Sequence, residues 1–323
     1  MQSPSKPTRW PIAVAIVSAS VLLVGMLLIP KRARSKAITN VAISASGKWV
    51  AAGTRDGLVK VCGFNTAGQC RTVSNGGSEL NDLQFSPDER ILAVADDNIR
   101  LLAVSTGNEC SFLRDDKLGY GTVRFDSSGS ELVTINSQSH IEVINLRSKR
   151  ISTDVCCSSF YGEVSFVGSE LKMVNAGHWP RIWTRTGELI RALAPDRATE
   201  TLRPIVVDEA GKRVFMGSQN GRVYAWSLAN FQLIDESPAQ AAYVDTIALV
   251  PKLGLLAYSG FEKEVHLWQP ETSRTPETLG ANSSSNVVAV PDGVSIAFGT
   301  DSGTIQIWTL EASPHLRSEI KVF

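Results

Sequence analysis

The chain has 323 residues, 43% of them hydrophobic and 20% charged, a composition that fits a folded protein with a full core and excludes a disordered chain. Its 32 basic and 32 acidic residues balance overall, but residues 1–36 hold Lys6, Arg9, Lys31, Arg32, Arg34 and Lys36 and no acid. Residues 37–323 therefore carry 26 bases against 32 acids, a charge of −6 without a basic patch, and this argues against nucleic acid as a partner, because phosphate neutralisation needs clustered Lys and Arg.

Residues 1–10 read as a short polar tail, and residues 11–30 as a transmembrane helix. Within the latter, residues 12–29 are an 18-residue run without a charge between Pro11 and Pro30. As a helix this run spans roughly 27 Å, close to the thickness of a hydrocarbon core. Trp10 on one side and Lys31, Arg32, Arg34 and Lys36 on the other are suited to the membrane interface, and residues 31–36 form a basic juxtamembrane linker. A cleaved signal peptide, and hence a secreted protein, is the competing reading. It is disfavoured because the nearest small-residue site, Ser35-Lys36-Ala37, follows a basic stretch. The orientation is nearly balanced. The basic flank after the helix and the five cysteines, read as unpaired, lean slightly toward a cytoplasmic body.

From residue 37 onward a segment recurs about every 41 residues. Each copy reads as an apolar strand, a turn, a small-residue apolar strand, a second turn and an alternating strand that often ends in Trp. The alternating strands include Arg181-Ile182-Trp183, Val223-Tyr224-Ala225-Trp226, Val265-His266-Leu267-Trp268 and Ile305-Gln306-Ile307-Trp308. Cys62, Leu102 and Ile144 hold the same register upstream, so the seven positions are 40, 42, 39, 43, 42 and 40 residues apart. Such a period marks a repeat architecture. Innermost strands are expected at 40–44, 82–85, 122–125, 163–166, 204–207, 246–250 and 286–290. Turns such as Arg55-Asp56-Gly57, Gln219-Asn220-Gly221 and Asp301-Ser302-Gly303 are strong hairpin signals.

The motifs Phe85-Ser86-Pro87-Asp88, Gln219-Asn220-Gly221 with Trp226, and Asp301-Ser302-Gly303 with Trp308 resemble the WD-repeat β-propeller family over residues 37–323. The resemblance implies an all-β, seven-bladed propeller of four-stranded antiparallel blades around a channel. It departs from the family pattern where Asp usually follows Trp: Thr184, Ser227, Gln269 and Thr309 stand there, and no repeat has the Gly-His dipeptide. The hydrogen-bond network built on those residues is therefore expected to be absent or altered, with more reliance on apolar stacking. The last blade is expected to form wholly from C-terminal residues. In this family the chain enters each innermost strand from the top face. The short linker would then keep that face near the bilayer and leave the opposite face and the rim freer for partners.

The sequence carries no recognisable catalytic or metal-binding signature. The four histidines, His140, His178, His266 and His315, have no His or Cys at metal-ligand spacing. No phosphate loop and no nucleophile elbow is present. Cys156-Cys157 is a candidate redox pair, set against two small residues at a strand end. Cys62, Cys70 and Cys110 read as small hydrophobic strand residues. His178, Trp179 and Arg181 interrupt the fourth repeat at its tight turn and are candidate partner-binding residues, set against packing on the neighbouring blade. The equivalent turn of repeat six, Phe261-Glu262-Lys263-Glu264, reads as a solvated charged turn. These observations point to a membrane-tethered, non-catalytic scaffold for protein partners, with no cofactor. The alternative is an enzyme or small-molecule sensor that uses the channel mouth.

Overall fold

Each repeat folds into four short antiparallel strands because its apolar runs are cut by turns that only a few residue types can make. A computed structural model of the chain describes residues 36–64, 69–114, 118–156, 162–168, 172–177, 180–193, 201–240, 243–272, 275–283 and 285–323. The expected helix at residues 11–30, together with Trp10, Lys31, Arg32 and Arg34, lies outside the described residues. Lys36 is described and exposed. Among the described residues no helix is long and apolar enough to cross a membrane.

The strands form seven four-stranded sheets, each hydrogen-bonded in sequence order. The innermost strands are Ile38–Ile43, Asp82–Phe85, Tyr120–Phe125, Val164–Val167, Leu202–Asp208, Val244–Val250 and Val288–Ala289. The second strands are covered on both faces, as their continuous apolarity requires: Trp49–Thr54, Glu131–Asn136 and Arg213–Ser218 are buried at every position after the first. The outermost strands are the exposed edges, and in the last of them, His315–Lys321, only Ile320 is buried.

The seven register positions anchor the packing between blades. Cys62, Leu102, Ile144, Trp183, Trp226 and Trp268 are all buried, while Trp308 is half-buried. Trp226 packs with Ile205, Val214 and Tyr224, and truncating such a residue costs about 3–5 kcal/mol. In five blades the ladder to the outermost strand slips at this position, between Leu101 and Leu102, Val143 and Ile144, Ile182 and Trp183, Ala225 and Trp226, and Ile307 and Trp308. A bulge there increases the local twist of the outer edge. The altered network shows in blade four, where Trp183 Nε1 donates to Asn175 Oδ1 at 2.8 Å.

The seventh blade is built from Val288–Ala289, Ser295–Gly299, Thr304–Thr309 and His315–Lys321, without a strand from the first repeat. Side chains and loop backbone therefore close the ring. Ile38 N–H donates to Thr300 O at 3.2 Å. Lys60 Nζ donates to Val322 O at 2.7 Å and lies 4.8 Å from the centre of the Phe323 ring. Gly299 leaves room for Ile38, because a Cβ there would come within 2.3 Å of Ile38 Cγ2.

One sequence expectation is overturned at this seam. Cys62 and Cys70 are not separate small hydrophobes; they face each other across two strands of blade one and form a disulfide. Their side chains join the apolar cluster that also contains Ile320 of the last strand and Val322 just after it. The pairing register places the two residues opposite each other, with Cα atoms 4.1 Å apart.

Candidate functional site

The innermost strands enclose a channel that opens into a cavity of about 1180 Å³. Its wall is held by side chains that reach from one blade to backbone groups of the next. Asn40 Nδ2 donates to Asn81 O, and Val123 N–H to Asp82 Oδ2. Phe125 N–H donates to Gln84 Oε1, Ile205 N–H to Glu163 Oε2, and Val287 N–H to Thr246 Oγ1. These partners are 41 or 42 residues apart, so the repeat length is also the hydrogen-bond offset.

A charged cluster sits in this wall. Arg124 pairs with Asp82, and its Nη2 lies 3.9 Å from Glu163 Oε2. Burial opposes the charge on Arg124, but Asp82 and Glu163 outweigh it and hold its pKa above the ordinary value. Burial pushes the Glu163 carboxyl up; Asp82 adds to this, and Arg124, Arg203 and the Ile205 amide offset it only in part. Such a cluster in a cavity is a functional candidate on electrostatic grounds. Here its members are engaged in contacts between blades two, three, four and five.

The rim differs in character from the wall. Tyr243, just before the innermost strand of blade six, is 43% exposed, and Phe261, in the turn after its second strand, is 76% exposed. Their ring centroids are 6.2 Å apart at 35°. Both line the cavity mouth with Arg55, Glu79, Asp245 and Lys263. This is the end at which the chain enters the innermost strands. The sequence reading took Phe261 for part of a solvated charged turn. The available signal was an aromatic residue where the polar residues Arg55, Ser137, Gln219 and Asp301 stand in other repeats.

The residues singled out in the sequence are only partly brought together. Cys156, the last residue of the strand Arg150–Cys156, is an exposed free thiol, and Cys157 lies outside the described residues. Arg181 starts the strand Arg181–Thr184 and rests its guanidinium 5.8 Å from the centre of the Trp183 ring. His178 and Trp179 lie outside the described residues. Among the described residues one group can hold a metal ion, Glu262, Glu264 and His266, whose ligand atoms lie within 4.8 Å of one another. His266 Nδ1 is 3.0 Å from Thr278 Oγ1. Burial lowers the His266 pKa, against the pull of Glu264 and Glu262.

Seven four-stranded antiparallel sheets around a channel define a seven-bladed β-propeller with an aromatic patch at its mouth. The family model described as "WD domain, G-beta repeat" matches residues 30–62, which include most of the first blade. The chain is 31% identical over 110 residues to "Periodic tryptophan protein 2 homolog" of Mus musculus, a match that covers 33% of this chain and 12% of that protein. It is 22% identical over 214 residues to "Target of rapamycin complex subunit wat1" of Schizosaccharomyces pombe, covering 62% of this chain and 68% of that one. Among solved structures, the WD40 β-propeller domain of Doa1 superposes with a TM-score of 0.72 at 16% identity, over 85% of this chain and 94% of that one. The propeller fold is thereby shown, and the WD-repeat resemblance is supported.

Proposed function

We propose that this chain is a membrane-tethered, non-catalytic propeller that docks protein partners at the mouth of its channel. The observation that carries this reading is the solvent-facing pair Tyr243 and Phe261. Aromatic side chains are enriched at the centres of protein interfaces, and at this mouth they stand clear of the core. The Schizosaccharomyces pombe relative is named as a subunit of a complex, which supports an assembling role here. The alternative, a ligand sensor or enzyme in the channel, would draw on Asp82, Arg124 and Glu163, whose polar groups are already engaged between blades. Trp179 and His178, at the equivalent turn of blade four, are proposed as further partner contacts.

The tether rests on the uncharged run at residues 12–29 and its basic flank. The Cys62–Cys70 disulfide supports a propeller on the oxidising side of that membrane, because cytosolic thiols are kept reduced. This weighs against the slight cytoplasmic lean, which rested on the basic flank and on reading the cysteines as unpaired. A membrane-impermeant maleimide applied to intact cells tests the side, since Cys110 and Cys156 are exposed free thiols. Labelling of both supports an outward propeller, and labelling only after permeabilisation overturns it.

The docking reading is tested by purifying the full-length chain from its native membrane in mild detergent. Wild type is compared with the Tyr243→Ser/Phe261→Ser double variant by mass spectrometry of the proteins retained. A stoichiometric partner held by wild type and lost from the variant supports it. A partner retained equally by both, or none with either, overturns docking at the mouth.

A further inference from the structure

We infer that the mouth is built for a cationic side chain, and that its occupant is a Lys- or Arg-containing extended segment of a partner protein. The inference deepens the docking reading above and rests on it for the location of the surface. Tyr243 and Phe261 expose their rings beside the cavity, and an aromatic face attracts an ammonium or guanidinium group. Three exposed carboxylates belong to the same two segments, and Asp245 among them lines the cavity. Asp245, at the bulge that opens the strand Val244–Val250, is exposed and lines the same cavity as Tyr243 and Phe261. Glu262 adjoins Phe261 in the turn, and Glu264 lies close to Glu262.

The charges at this mouth are unequally engaged. Lys263 Nζ is held by Asp301 at 2.6 Å, and Arg55 Nε by Glu79 Oε1 at 2.8 Å. Arg203 acts on the buried Glu163 carboxyl. The local cations are thus occupied, whereas no Lys or Arg pairs with Asp245, Glu262 or Glu264 among the described residues. The charge left to be matched beside the aromatic pair is negative. The charge of −6 over residues 37–323 favours approach of the same sign of partner. Free polyamines share this chemistry; the span of the mouth across Tyr243, Asp245 and Phe261 favours a chain that can place a cation and extend beyond it.

The test uses the full-length chain in detergent, with EDTA present to keep Glu262, Glu264 and His266 free of metal. The probes are a fluorescein-labelled ten-residue peptide of alternating Lys and Ser, its Glu-for-Lys counterpart, and spermine as competitor. The Lys peptide is expected to bind more tightly than the Glu peptide and to weaken as salt rises. Phe261→Ser is expected to raise its Kd about two- to five-fold, the size of one exposed cation–π contact. The Asp245→Asn/Glu262→Gln double variant is expected to flatten the salt dependence. Equal binding of the two peptides, or an unchanged Kd in Phe261→Ser, overturns the inference. Binding of spermine without binding of the Lys peptide assigns the site to a free amine and overturns the peptide occupant. Thermal melts of each variant establish that the fold is intact. A native partner lost from the Tyr243→Ser/Phe261→Ser variant, together with no preference for the Lys peptide, leaves docking standing and rejects the cation. A preference for the Lys peptide with no native partner does the reverse.

Discussion

Asn286, in front of the seventh blade, grips both backbone polar groups of Val41 in the first: Val41 N–H donates to Asn286 Oδ1 at 2.6 Å, and Asn286 Nδ2 donates to Val41 O at 2.9 Å. No strand crosses this seam, so the paired amide stands in for part of a sheet ladder. Asn286→Ala removes both bonds and leaves two half-buried backbone groups unmatched. Denaturant unfolding is expected to show a loss of about 1–3 kcal/mol; an unchanged midpoint would show that the grip contributes nothing to closure.

Gly299 tests the same seam by crowding. A Cβ at this position comes within 2.3 Å of Ile38 Cγ2, and Ile38 is fully buried. Gly299→Ala should lower stability by about 1–3 kcal/mol, in the range of overpacked cores. A melting temperature equal to wild type would mean that the first strand shifts freely at the seam, contrary to the packing described.

The Cys62–Cys70 bridge closes a short loop, with a sequence separation of 8. Chain-entropy arguments assign such a loop about 2–3 kcal/mol. Cys62→Ser and Cys70→Ser should therefore each lower the denaturant midpoint, and the double variant should match either single one. Mass spectrometry after alkylation without reductant should find two cysteines protected in wild type. Alkylation of all five would refute the bridge.

Glu163 and Asp126 are expected to pull stability in opposite directions as pH changes. Burial holds the Glu163 carboxyl above its ordinary 4.5. The folded chain therefore binds that proton more tightly than the unfolded one, and the stabilisation is lost as pH rises from 4.5 through the folded value. Asp126 is held below its ordinary 3.8: burial raises it, but Ser128, the Glu131 amide and Arg185 outweigh burial. Its contribution is present above 3.8 and is lost as pH falls through the folded value. Glu163→Gln should gain on wild type as pH is raised from about 4 to 8 in thermal melts, and Asp126→Asn should lose on it as pH is raised from about 2 to 5. Parallel profiles for all three chains would reject both assignments.

Phe261 is exposed at the mouth, so Phe261→Ser should leave the melting temperature within the range of neutral surface changes, about 0.5 kcal/mol in stability. Trp226→Ala, at a buried register position, should cost about 3–5 kcal/mol. The contrast separates the residue assigned to binding from one assigned to packing. A large loss from Phe261→Ser in the same assay would place that ring in the core instead.

The seven-fold architecture is legible in the sequence because the alternating strands repeat the same burial demand at residues 62, 102, 144, 183, 226, 268 and 308. The innermost strand 82–85 has the expected bounds because Ser86-Pro87-Asp88 ends it sharply. The last innermost strand is shorter than expected, Val288–Ala289 rather than 286–290, since Asn286 is committed to Val41. The disulfide was hidden because its two residues meet only through the register of a hairpin, which spacing alone does not give. The cluster of Asp82, Arg124 and Glu163 was hidden for a related reason: the three residues come from three different repeats. The mouth escaped because Phe261 sits among charged neighbours, and composition spoke for the turn as a whole.

The bonds that join neighbouring blades along the channel have a consequence for how such a chain can change over generations. Donor and acceptor stand one repeat apart, as in Asp82 with Val123, Glu163 with Ile205 and Thr246 with Val287. A duplicated repeat therefore brings with it half of the joint on either side, and a deleted one removes matching halves. Whole modules can be copied or dropped with the couplings intact, whereas a single-residue insertion within an innermost strand puts the coupling on both of its flanks out of phase.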